Sequence, residues 1–100
     1  MTPHAGPAAA PADLPALRRE VERLDRALVR TIAERMRVAR AIGAAKRAAG
    51  AATLDPVREA EVVRRAGALA READLPEEPI RMVFWQLIDL ARRLQAAERP

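Results

Sequence analysis

A few charged and amide side chains in this sequence stand at spacings that could serve one small anion. Arg35 and Lys46 are 11 residues apart. On a helix turning about 100° per residue they return to within about 20° of the same face, roughly 16 Å apart along the axis. Two long side chains leaning toward each other from those positions reach a single small dianion. Arg18 stands 17 residues before Arg35. That is about 25 Å along the same axis, too far to share the ligand within one chain, so a role for Arg18 requires the site of a partner chain. Arg58 and Glu59 fall in the first turn of a second helix, and Ala91 and Gln95 form an i, i+4 pair on a third. Gln95 borders an apolar face, where a neutral amide can point into a pocket. Taken singly, each has an ordinary explanation. An arginine on a helix is more often a solvated charge than a ligand, Glu59 suits a helix N-terminus through the dipole, and Gln95 suits a boundary. Spacing alone specifies an anion-binding helical domain.

Other chemistries are set aside by composition. The sequence has no cysteine, which excludes disulfides and thiolate nucleophiles, and its only histidine is His4 in a Pro/Ala-rich tail. No imidazole-based metal site and no cofactor are expected. No apolar run approaches the roughly 20 residues of a membrane span. Residues 1–12 lack a basic start followed by an apolar stretch and are expected to be a disordered tail rather than a secretory signal, which places the protein in the cytoplasm. The net charge of +4, from 18 Lys+Arg against 14 Asp+Glu, suits an anionic partner. The basic residues alternate with acids, and Phe84 and Trp85 are the only aromatics. No dense basic block or stacking platform argues for nucleic acid.

Three helices must position the candidate residues. Asp13 followed by Leu14-Pro15 reads as a helix start. From there to about Ala48 only Gly43 interrupts the helical pattern, and Leu17, Val21, Leu24, Leu28, Ile32, Met36, Ala39 and Ile42 form one apolar stripe at spacings of three and four. Such a helix is about 50 Å long. Gly50 and the AAT that follows make a turn, and Asp55-Pro56 reads as N-cap and first helical residue. The second helix runs to about Ala73, with Val57, Val62 or Val63, Ala66, Leu69 and Ala70 inward. After a connector over residues 74–79, Pro79 can start the third helix, which runs to about Ala97 with Ile80, Phe84, Leu87, Ala91 and Leu94 on one face. No stretch alternates with period 2, so the fold class is all-α over residues 13–98. Two short helices cannot cover the long one along its whole length. An intertwined two-fold dimer, with long helices packed together, is the simplest closure.

The residues so assembled resemble the all-helical, AroQ-class chorismate mutase family. LRREVERLDRALVRTIAERMRVARAIGAAK resembles the family's long first helix, with Leu24-Asp25, Glu34-Arg35 and the I-G-x-x-K of Ile42 to Lys46. LDPVREAEV, residues 54–62, resembles the D-x-x-R-E at the start of the second helix, and FWQLIDLARRLQ, residues 84–95, the third helix with its terminal glutamine. Three blocks in order cover about residues 14–97.

The resemblance implies a Claisen rearrangement of chorismate, a dicarboxylate, to prephenate in phenylalanine and tyrosine biosynthesis. It implies catalytic roles for Lys46, Gln95 and Arg35. Arg18 would reach across the dimer to a substrate carboxylate, and Arg35 would bind a carboxylate within its own chain. Lys46 would contact a carboxylate and the breaking ether oxygen, and Gln95 would donate to that oxygen. Arg58 would support the anionic pocket, Glu59 with the backbone around Asp55 would hold the ring hydroxyl, and Ile42 and Ile88 would be apolar walls. Ala91 departs from members that carry a serine there, which removes one hydrogen bond of about 1 kcal/mol net and leaves room for a slightly different substrate. Isochorismate-pyruvate lyases and aminodeoxychorismate mutases resemble the same pattern. A non-enzymatic helical module binding anions or nucleic acid is the more distant alternative. Some members of the family depend on a shikimate-pathway partner enzyme for full activity.

Overall fold

In the computed structural model, which describes residues 13–98, three helices follow one another: α1, Leu14–Ala48; α2, Pro56–Glu72; and α3, Glu77–Ala97. No strand occurs among the described residues. The expected tail over residues 1–12 lies outside them.

Local chemistry accounts for the boundaries. The Asp13 carboxylate accepts from the Ala16 N–H at 3.4 Å, and its carbonyl accepts from the Leu17 N–H at 2.9 Å. Gly50, with φ +70°, ends α1. The Gly50 N–H donates to the Arg47 carbonyl and the Ala51 N–H to the Lys46 carbonyl, the paired bonds of a Schellman motif. Asp55 caps α2, its carboxylate accepting from the Arg58 N–H at 3.1 Å, and Pro56 takes the first helical position, where a missing N–H costs nothing. α2 ends in a second Schellman motif, with Asp74 rather than glycine in the left-handed position at φ 57°. α3 starts at Glu77, two residues before Pro79, with Pro76 as its N-cap. Proline is tolerated this early because the first N–H groups of a helix have no intrahelical partner.

Two compact units divide the chain after Thr31. The described part of the first is helix alone. Its Leu14, Leu17, Val21, Leu24, Leu28 and Val29 are each between 46% and 65% exposed. The second holds the rest of α1 with α2 and α3. Its buried apolar residues are Met36 of α1, Val63, Ala66 and Ala70 of α2, and Ile88 of α3. α2 and α3 approach closely along Val63, Ala66, Gly67 and Ala70, where small side chains let the backbones come together. Val57 and Leu69, expected inward, are 73% and 49% exposed. Each lies more than 100° around the helix from the centre of that buried stripe. Val63 is buried, whereas Val62 turns toward a cleft described below.

An ion-pair cluster braces the α2–α3 connector. Glu77 meets Arg71 of α2 at 2.9 Å and Arg81 of α3 at 2.8 Å, and Arg81 also reaches Glu78 at 3.3 Å. The Arg71 guanidinium holds the Glu77 carboxyl below its ordinary range, and Arg81 adds to the effect. Among the described residues no helix is long and apolar enough to cross a membrane.

Candidate functional site

All three helices of the second unit contribute to a cleft of about 300 Å³. That volume suits a small metabolite. Arg35, Ile42, Lys46, Asp55, Arg58, Glu59, Ile88, Ala91 and Gln95 line it, which is every candidate from the sequence except Arg18. Arg18 belongs to the first unit.

α1 presents Arg35 and Lys46 as its helical repeat dictates. Arg35 is half-buried, and its guanidinium carbon stands 5.8 Å from the centroid of the Phe84 ring on α3. The aromatic face favours the cation and restricts its side chain. Lys46, 29% exposed, has its Nζ 3.8 Å from Oδ2 of Asp55. Asp55 therefore serves both the α2 cap and the lysine. Arg58, in the first turn of α2, makes one exposed pair with Glu61 at 3.4 Å, so its guanidinium remains open to solvent and to a ligand.

Gln95 enters from α3. Its Nε2 donates to the backbone carbonyl of Ala39 at 2.8 Å. A carboxamide nitrogen carries two hydrogens, so one donor stays available after that bond. The end of α3 is also tied to α1 by Arg40 and Glu98, 2.5 Å apart.

Val38, Ala39, Thr53, Val62, Arg65 and Arg92, none of them a site candidate from the sequence, also line the cleft. Arg65 stands seven residues after Arg58, hence on the same helical face, and that spacing was a usable signal. Arg92 holds Glu59 through two guanidinium donors. This hydrogen bonding raises the Arg92 guanidinium above its ordinary value. Ala39 contributes a carbonyl, which no side-chain pattern reveals.

Among the described residues five cations line the cleft against two carboxylates, an excess of three positive charges. Low-dielectric walls of Val38, Ile42, Val62 and Ile88 strengthen their field. The arrangement can hold a compact dianion at two ends and present an uncharged donor between them. Among the described residues no group of His, Cys, Asp or Glu could hold a metal ion.

Comparison with curated proteins and with solved structures found no match. The chorismate mutase type II family matches the chain over residues 17–96, which takes in the whole cleft. On that match the chain belongs to the chorismate mutase type II family.

Proposed function

We propose that the protein converts chorismate to prephenate in the cytoplasm, in the synthesis of aromatic amino acids, as a two-fold homodimer whose sites each take Arg18 from the other chain. The observation that carries this reading is the cleft itself. It gathers Arg35, Lys46, Arg58 and Gln95 from three helices around a space of about 300 Å³.

The reaction breaks one C–O bond as one C–C bond forms within the same molecule. It needs no nucleophile and no general base. The protein's work is to select the compact conformer and to stabilise developing charge. Arg35 and the partner chain's Arg18 hold one carboxylate, while Lys46 and Arg58 hold the other end. Fixing both ends brings the reacting carbons together and removes an entropic barrier. Negative charge grows on the ether oxygen as the C–O bond lengthens. Lys46 and the free N–H of Gln95 are the donors for it, and preorganised donors are usually the largest single contribution. Glu59 accepts from the ring hydroxyl, and Ile42 and Ile88 exclude water.

The dimer is supported by the exposed apolar residues of α1 from Leu14 to Val29 and by the modest core that a domain of this size can bury alone. A shikimate-pathway enzyme is the partner proposed beyond the homodimer.

Incubating the purified protein with chorismate and identifying the product by NMR tests the reading. Prephenate is the expected product. Pyruvate released from isochorismate, or selective turnover of aminodeoxychorismate, would instead assign a sister activity on the same fold. Salt-sensitive DNA binding with no turnover would return the chain to a binding module.

A further inference from the structure

The buried glycine five residues before the end of α1 has no local reason to be there. Gly43 lies inside a continuous helix, and its φ is not in the left-handed region. Glycine at such a position weakens a helix relative to alanine. A Cβ built on Gly43 would stand 3.1 Å from Nε2 of Gln95 and 3.2 Å from its Cδ and Cγ. These contacts are tighter than ordinary van der Waals separation, so Gln95 would have to move by a few tenths of an ångström. Nothing else comes as close to that Cβ as the Gln95 side chain.

We infer that Gly43 is a positioning residue for the reaction, acting through Gln95. Its missing side chain makes the notch in α1 that seats the Gln95 carboxamide. The notch and the 2.8 Å bond from Nε2 to the Ala39 carbonyl, one helical turn earlier on α1, together determine where Gln95 sits. With one hydrogen committed to Ala39, the direction of the second is set, and that second hydrogen is the one available to a ligand. Filling the notch lifts the carboxamide off α1, strains the Ala39 bond and re-aims the remaining donor. The inference rests on the catalytic role proposed for Gln95.

Helix propensity and site geometry predict opposite outcomes for Gly43→Ala, which makes the test sharp. The measurements are steady-state kinetics with chorismate and thermal unfolding, on Gly43→Ala, Gln95→Ala and the double variant. Gly43→Ala should lower kcat by about 10-fold, an intermediate share of the roughly 100-fold that one lost transition-state donor costs. KM should change by less than about 3-fold, because the arginines that hold the carboxylates are untouched. On the Gln95→Ala background the same substitution should change kcat by less than about 2-fold. There it should also raise the unfolding temperature, since the clash is gone and only the propensity gain remains.

Unchanged kcat in Gly43→Ala, or an equal loss on both backgrounds, overturns the positioning role while leaving Gln95 as a donor. If Gly43→Ala unfolds and Gln95→Ala does not restore it, the notch serves something other than Gln95 and the inference fails. Full turnover by Gln95→Ala removes the donor role itself, and the inference falls with it.

Discussion

Arg92 of α3 grips Glu59 of α2 with two donors, its Nε lying 3.0 Å from Oε2 while a terminal nitrogen engages Oε1. The Glu59 side chain is only 16% exposed and that of Arg92 47%, so the carboxylate lies in the wall of the cleft while the guanidinium still meets solvent. An ionised carboxylate offers about four acceptor positions. Arg92 occupies two and fixes the plane of the group, leaving acceptors for a ligand hydroxyl. Arg92→Ala should therefore raise KM for chorismate by on the order of 10-fold, the scale of one hydrogen bond to a charged group, with a smaller change in kcat. On a Glu59→Ala background the same substitution should add little. An unchanged KM in steady-state kinetics would reduce the pair to a brace between helices.

Lys46 joins the end of α1 to the Asp55 cap and, among the described residues, is the only ammonium lining the cleft. Lys46→Ala should lower kcat/KM by at least about 100-fold, as expected for a donor matched to developing charge. Stopped-time assays of chorismate disappearance would show it. Near-normal turnover would remove Lys46 from the mechanism.

Arg18 and Arg35 are proposed to serve one site from two chains. Arg18→Ala and Arg35→Ala proteins should each be poor catalysts. Co-refolded mixtures should recover activity, because each mixed dimer then contains one site with both arginines. Mixed dimers that form, as judged by mass spectrometry, and yet stay inactive would place Arg18 outside the site.

Asp74 holds the left-handed position that ends α2. A side chain in that conformation costs roughly 1–2 kcal/mol, and glycine relieves it at some entropic cost. Asp74→Gly should raise the unfolding temperature by a few degrees, as a gain of about 1 kcal/mol does in a domain near 100 residues. Scanning calorimetry on the two proteins decides the sign. Catalysis should not change, because Asp74 does not line the cleft.

Glu77 is held below its ordinary carboxyl range, first by Arg71 and then by Arg81. A depressed folded-state value means the unfolded chain binds the proton more readily. The cluster's contribution is thus present above the ordinary glutamate value of about 4.3 and is lost as pH falls through the lower folded value. Glu77→Gln should flatten the acid side of the stability profile and leave stability near pH 7 only slightly reduced, as for exposed pairs. Urea unfolding from pH 3 to 7 measures this. An unchanged acid slope would mean that other carboxylates carry it.

How much was legible in advance differs by element. α1 and α2 follow from Asp13, Gly50 and Asp55-Pro56 because caps and left-handed turns are made by residues adjacent in sequence. The start of α3 was displaced, since proline is accepted at any of the first positions of a helix and Pro79 alone does not say which. Val57 and Leu69 were misplaced because an alanine-rich helix has little apolar contrast. Its buried stripe was determined by where Ala66, Gly67 and Ala70 let α3 approach.

The sequence by itself determined three helices, their order and the charged candidates, because helical period and capping are local. Tertiary structure decided which of those charges share a cleft, that Arg92 spends its charge on Glu59, and that Gln95 fills the space a side chain at Gly43 would need. These depend on distances between residues more than 30 positions apart in the chain. Such distances are set by how closely two helix backbones approach, and no local pattern encodes them.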